Sequence, residues 1–283
     1  MIEMVGYLAN FKTWIKVVLL WSIIIYSLIC SMAVWASSDE SVIPQDIAVS
    51  IARKKAEEVW GKITLGKPLL AYTLSGRPSV YIIPVRFGEE PFPEDDVILH
   101  EIRSAKIKMD EARRELADVR QSLLLGSSES NTKVYSSNQK ISISISKKLI
   151  EAETKFKKAS DQRWGIGKYG FVVISARKDM LPIQEFSNTL PLYYTRFDYA
   201  RTQAKKALGK EVRLTKVFYA GPMDQMFEFS SNNKKVWVSP FRGMIYEPGS
   251  ISESDRISKL SESAKRRIKQ KWDEWLFKIR KEQ

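Results

Sequence analysis

The sequence contains almost no cysteine. Its one cysteine, Cys30, lies within an apolar stretch near the N-terminus. The chain after it therefore has no disulfide, no thiol nucleophile and no thiolate ligand for a metal. A chain without thiols suits an oxidising compartment, where a free thiol is a liability.

Histidine is equally scarce. A helix would bring Asp96 and Glu101 near the single His100, so that one metal ion could contact all three side chains. A Ser-His-Asp triad would need the same histidine. The heptad pattern described below instead places His100 at an outermost position facing water. No glycine-rich phosphate loop is present, and no acidic pair stands out beside an aromatic-lined strand end. We therefore predict a protein that is not an enzyme and has no cofactor and no metal site.

Acidic residues are too few to balance the basic ones. The formal net charge is +13 and the pI is near 9.6. From Arg196 to Lys216 there are seven basic and two acidic residues, and from Glu253 to Gln283 there are ten and six. The excess indicates either a solvated surface or a face that docks on an acidic partner, such as an anionic membrane surface or a cell-wall polymer. We predict no specific binding of nucleic acid.

The N-terminal segment has the layout of an export signal. Lys12 and Lys16 precede an uncharged run over 17–35, and small residues flank the end of that run at Ala36. This order is typical of a signal peptide over 1–36 that is cleaved after Ala36. The run of about 19 residues also approaches the length that spans a bilayer, so an uncleaved anchor is the alternative. Both alternatives predict a periplasmic or extracellular protein, secreted or anchored.

Two segments combine a helix with antiparallel strands. In the first, a helix begins at Asp46 and stops at Gly61, and a turn over 75–78 separates two strands. In the second, a helix over 197–208 precedes several short strands. The predicted strands are Leu69–Leu74, Val80–Phe87, Phe171–Ser175, Leu181–Phe186, Leu214–Ala220, Met226–Ser230, Lys235–Pro240 and Met244–Tyr246.

A heptad pattern fills the region over 95–163. The first arm carries apolar residues in unbroken four-three spacing and ends at Gly126, and a polar loop leads to a second arm with the same spacing. This predicts an antiparallel coiled-coil hairpin, paired within one chain or between chains. The run over 141–145 also alternates as a strand would, so the start of the second arm stays open. The seam residues are Ile98, Ile102, Ala105, Met109, Ala112, Leu116, Val119 and Leu123, then Ile145, Leu149, Ala152, Phe156 and Ala159.

Tyr169 to Ala176, followed by Asp179, Pro182-Ile183 and Phe186-Ser187, resembles the pro-segment of streptopain-type cysteine peptidases and related free-standing inhibitors. The unit from Ala204 to Gly243 resembles a PepSY-type module. The sequence departs from the pro-segment pattern at Arg177-Lys178, where that pattern tends to be acidic. The resemblance implies an exported module that binds or restrains another protein, such as a peptidase, and has no activity of its own.

These patterns predict an α+β fold with two small units, an inserted hairpin and a basic amphipathic C-terminal helix. The predicted divisions are 1–36, 42–94 with 164–190, 95–163, 191–249 and 250–283. The function we expect is protein binding, and an envelope scaffold that assembles through the hairpin is the alternative. Five aromatic residues are candidates for partner binding. Those near the last strands are either partner contacts or plain core residues. Those of the C-terminal helix dock either on a membrane or on the protein's own sheet. The five residues are Trp237, Phe241, Tyr246, Trp272 and Trp275.

Overall fold

The computed structural model describes residues 42–128, 135–209, 211–221, 224–251 and 261–281. The predicted export segment and part of the predicted C-terminal helix, residues 252–260, lie outside these ranges. The described helices are α1 Gln45–Trp60, α2 Asp95–Ser128, α3 Tyr135–Trp164, α4 Leu192–Thr195, α5 Phe197–Leu208 and α6 Glu262–Arg280. The described strands are β1 Ile63–Leu65, β2 Leu69–Tyr72, β3 Pro78–Phe87, β4 Tyr169–Ser175, β5 Ile183–Ser187, β6 Arg213–Tyr219, β7 Gln225–Ser231, β8 Lys234–Val238 and β9 Ile245–Tyr246.

All nine described strands belong to one sheet, in the order β5-β4-β3-β2-β6-β7-β8-β9, with β1 also paired to β3. The pairs are antiparallel except where Tyr72 of β2 lies beside Phe218 of β6 in parallel. The predicted α+β class is therefore confirmed. The strands of both predicted units join a single sheet through this one parallel contact.

Helices cover both faces of the sheet. On one face α5 packs against strands from both halves, and on the other face α1 and α6 pack against β3 and β4. The central strands β3 and β4 are consequently buried on both sides, which is why their sequences are nearly continuous apolar runs. The first cluster includes Ala71, Ile82, Val173, Ala200, Val217, Phe227 and Val238, and the second includes Ile51, Ala52, Tyr81, Ile83, Val172, Ile174 and Trp272.

Turn residues account for most of the element ends. Gly61 ends α1 with φ 76° and Gly209 ends α5 with φ 102°, both in a region that favours glycine. Asn232 and Asn233 adopt φ of 46° and 64° between β7 and β8, as a tight hairpin turn with two left-handed residues requires. The helix α1 begins at Gln45, directly after Pro44 and one residue before the predicted start at Asp46.

The two long helices α2 and α3 lie side by side in opposite directions. Glu115 accepts a hydrogen bond from Lys155 at 2.8 Å, whereas nearer the sheet Glu101 accepts one from Lys168 at 2.7 Å. The helix α2 continues past Gly126 to Ser128, and residues 141–145 are helical, so the strand alternative was wrong. Among the predicted seam residues with described burial, the buried ones are Ile98, Ile102, Ala105, Met109, Ala112, Ala152 and Ala159.

The base of this helix pair is anchored to the sheet. Ile98 and Ile102 pack with Tyr169 and Tyr194 in a third buried cluster. Arg103 also forms a two-pronged ion pair with Asp198 of α5, with N···O distances of 2.7 and 2.9 Å. The helix pair is therefore rooted in the core at its base.

Candidate protein-binding surface

The single histidine contributes no constellation of reactive groups. His100 is exposed on α2. The neighbouring Glu101 is engaged elsewhere, because its carboxylate accepts hydrogen bonds from Lys168 and from the hydroxyl of Tyr169 at 3.1 Å. Over the ranges that the structure describes, no group of His, Cys, Asp and Glu could hold a metal ion. The absence of catalysis and of a cofactor stays a prediction.

Apolar side chains are exposed together at the β9 end of the sheet. Phe241 and Met244 lie in the loop before β9, Ile245 lies on β9, and Tyr199 lies on α5. Their exposed fractions are 45%, 52%, 41% and 42% in that order. We call these four residues the edge patch. Single exposed apolar residues are ordinary, but several around one open strand mark a candidate interaction site.

The loop that carries the edge patch is held by its own hydrogen bonds. The Ser239 N–H donates to the Met244 carbonyl at 2.9 Å, and the Gly243 N–H donates to the Ser239 carbonyl at 2.8 Å. Gly243 has φ 70°, and a Cβ there would come within 2.2 Å of the Tyr199 hydroxyl oxygen. Glycine is needed at this position both for the backbone and for the contact with α5. The edge patch is therefore positioned in the unbound protein.

The strand beside the edge patch has one open side. Tyr246 pairs with Trp237 and Ile245 pairs with Val238, while β9 forms the end of the sheet. Because hydrogen-bonded and non-hydrogen-bonded pairs alternate, the bond from Ser239 to Met244 leaves Ile245 in a non-hydrogen-bonded pair. The backbone N–H and C=O of Ile245 consequently point away from β8. Such groups are where an extended segment of another protein can add as a strand.

Trp237 lies beneath this region and is buried. Its ring centroid is 4.8 Å from that of Phe218, and its Nε1–H donates to the Glu228 carboxylate at 3.1 Å. Phe241 is exposed and Tyr246 is half-buried, with its hydroxyl 3.0 Å from the sulfur of Met244. Of these three predicted residues, Phe241 and Tyr246 can touch a partner directly, whereas Trp237 supports them from the core.

The buried carboxylate of Glu228 holds Trp237 in place. Its side chain is 6% exposed and accepts hydrogen bonds from Thr215 at 2.7 Å, Lys235 at 3.1 Å and Trp237 at 3.1 Å. Thr215 is the extra residue at an irregularity in the β6–β7 register. Burial alone raises the pKa of the Glu228 carboxyl, but the three donors outweigh burial and the pKa is lowered below its ordinary value.

The two tryptophans of α6 face the protein. Trp272 is 3% exposed, packs in the second core cluster and donates its Nε1–H to the Met180 carbonyl at 2.8 Å. Trp275 is half-buried against the same cluster, with the Lys278 ammonium 4.5 Å from its ring centroid. The sequence left open whether these tryptophans dock on a membrane or on the protein itself. In the structure both pack against the core. Phe277 points away from the core and is 66% exposed.

Three residues of the edge patch were not among the predicted contact residues. Tyr199 lies opposite the Ala200 and Ala204 face of α5, and an aromatic residue on the polar side of an amphipathic helix was the available signal. Met244 and Ile245 had been assigned only to a short strand. Their exposure depends on β9 being the last strand of the sheet, which no local pattern reveals.

Within the described part of the chain, no helix is long and apolar enough to cross a membrane. The predicted anchor over 17–35 lies outside those residues. No protein-family model, curated protein or solved structure matches the chain. The resemblance to streptopain-type pro-segments and PepSY-type modules therefore stays a prediction.

Proposed function

We propose that the chain is an exported, non-enzymatic protein-binding module of the inhibitor or propeptide-like kind. Its edge patch and the open side of β9 bind an extended segment of a partner protein. The observation that carries this proposal is the edge patch lying beside the outward N–H and C=O of Ile245. Backbone hydrogen bonds would supply the register, and Phe241 and Met244 would supply apolar contact area.

Export and the class of partner rest on the sequence. The segment over 1–36 has the order of a signal peptide, and the segment from Tyr169 to Ala176 resembles peptidase pro-segments. A peptidase that encounters the module after export is therefore the partner that we propose. Binding at a sheet edge is compatible with restraint of a peptidase, because peptide segments add readily to open strands.

Binding variants test the proposed surface. Phe241→Ser with Met244→Ser removes exposed apolar area without touching the core, and Phe277→Ser is the matched control on α6. We expect the wild type and the control to capture the same protein from an envelope fraction, and the double variant to lose it. If the captured protein is a peptidase, the wild type and the control should inhibit it and the double variant should not. Equal capture by all three forms would refute the role of the edge patch.

A backbone substitution tests strand addition separately. Ile245→Pro removes an N–H that makes no bond to β8, which is the position at which an edge strand tolerates proline. Ile245→Val is the matched control. We expect the proline variant to stay folded and to bind the captured protein at least tenfold more weakly. Unchanged binding would mean that the partner contacts side chains only.

A second candidate function has an observation of its own. The α2–α3 pair carries exposed apolar residues on its outer sides, with Ile107 60% and Ile150 64% exposed. We therefore propose, as the alternative, an envelope scaffold that assembles through a coiled-coil hairpin. Replacing residues 114–154 with a short Gly-Ser link shortens the pair and keeps its rooted base. Retained partner binding would support the edge patch, and loss of self-association would support the scaffold.

A further inference from the structure

Two arginines from separate elements flank Trp164 at the base of the helix pair, and the charge of a third acts on one of them. Arg113 belongs to α2, Arg163 lies one residue before the end of α3, and Arg196 connects α4 to α5. The guanidinium carbon of Arg196 lies 5.2 Å from the centroid of the Trp164 ring, and the guanidinium carbon of Arg163 lies 5.9 Å from it. We call these four residues the arginine cluster.

The arginine cluster has no ion-pair partner among the described residues. No carboxylate oxygen of that part of the chain lies within 4.0 Å of its guanidinium nitrogens. The Nε atoms of Arg163 and Arg196 are buried without a protein acceptor, and a terminal N–H of Arg163 faces the Met109 sulfur at 3.9 Å. A buried donor without an acceptor is unfavourable, because it has lost its hydrogen bond to water. The protein therefore maintains unfavourable donors at this place.

The charge near Arg163 is also uncompensated. Burial lowers the pKa of its guanidinium, and the like charge of Arg196 lowers it further. Asp110 opposes these effects, but its carboxylate accepts a hydrogen bond from Lys106 at 3.0 Å and so brings its own counter-charge. Arg113 adds a third positive charge. An anion between the arginines would satisfy the donors and the charge together.

We propose that Arg163 and Arg196 form a binding site for a phosphate group beside Trp164. Guanidinium forks match phosphate oxygens in pairs, and two forks suit an anion with more than two acceptor oxygens better than they suit a carboxylate. The backbone of Arg196 is fixed, since its N–H bonds the carbonyls of Leu192 and Tyr194 and its carbonyl accepts the Ala200 N–H at 2.9 Å. The site is therefore built on rigid elements.

Titration with inorganic phosphate tests the site in the full-length chain, at constant ionic strength with chloride as the other anion. The readout is the indole N–H resonance of Trp164, identified by its loss in Trp164→Phe. We expect saturable binding that weakens at least tenfold in Arg163→Gln and in Arg196→Gln. Arg114→Gln is the matched control, because it removes a charge from the same helix outside the cluster, and it should change affinity less than twofold.

A second arm distinguishes the source of the phosphate. Vesicles of phosphatidylglycerol are compared with vesicles of phosphatidylcholine, using the same variants. Binding of free phosphate supports a soluble ligand, and cluster-dependent binding of the anionic vesicles alone supports a lipid headgroup. The proposal is overturned by no saturable response in either arm, by equal losses in Arg114→Gln, or by acetate binding as tightly as phosphate. Arg163→Lys, which keeps charge but not the fork, should bind several-fold more weakly and guards against misfolding of the glutamine variants.

Discussion

Glu228→Gln should destabilise the protein by about 2–3 kcal/mol at neutral pH. The carboxylate accepts from Thr215, Lys235 and Trp237, and a hydrogen bond to a charged acceptor is worth roughly 1 kcal/mol more than one to a neutral acceptor. Three such bonds give about 3 kcal/mol, and the half-exposed Lys235 contributes the least because water screens it. Glutamine keeps the shape, so no cavity contributes to the loss.

The same variant should remove part of the acid sensitivity. In the folded chain the pKa of Glu228 is lowered below its unfolded value, which is about 4.3. The stabilisation is therefore complete above that unfolded pKa and disappears as the pH falls through the lower folded pKa. The wild type should approach the stability of Glu228→Gln in acid, while the two differ most at neutral pH.

Urea unfolding followed by tryptophan fluorescence, at pH 7 and at several values below 4.5, measures both effects. Glu247→Gln is the control, because Glu247 is an exposed carboxylate, and its stability should stay within about 0.5 kcal/mol of the wild type. The reasoning would be refuted if the free energies of unfolding of the wild type and Glu228→Gln differed by less than that margin at pH 7. It would also be refuted if the difference did not shrink in acid.

Two further substitutions probe the packing of helices. Trp272→Ala should cost about 3–5 kcal/mol in urea unfolding, because a buried aromatic side chain is lost, whereas the exposed Phe277→Ala should cost almost nothing. Equal effects would mean that α6 is not part of the core. Ala152→Leu should overfill the α2–α3 contact and cost about 1–3 kcal/mol, seen as faster amide exchange in both helices. If the amide exchange rates of Ala152→Leu were the same as those of the exposed control Glu151→Leu, the two helices would not be closely packed at Ala152.

Most of the secondary structure could be predicted, because each signal is local. The helix over 197–208 was bounded by its apolar spacing and by Gly209, and the structure has the same bounds. The strands β7 and β8 were likewise predicted on either side of Asn232 and Asn233, which form the turn between them. The strand β1 was missed because three residues are too few for a pattern. The helix α2 runs two residues past Gly126, because glycine lowers helix propensity without forbidding a helix.

The candidate sites could be predicted only in part, because they combine residues from distant segments. Phe241 and Tyr246 stood out as aromatic residues near a strand end, but Tyr199 reaches them only through the contact between α5 and Gly243. The arginine cluster draws on α2, α3 and the start of α5. The sequence revealed that the region after Arg196 is basic, and not that Arg163 would lie near Arg196 in space.

The joining of two predicted units into one sheet has a physical explanation beyond strand pairing. A single parallel residue pair, Tyr72 with Phe218, contributes little by itself. The buried cluster beneath it is continuous, since Ala71 and Val80 of the first half pack in the same cluster as Val217 and Phe227 of the second. Opening the joint would expose apolar surface from both halves, at roughly 25 cal/mol for each Å². The halves should therefore unfold together, and a substitution at Glu228 in the second half should lower the stability of the whole sheet.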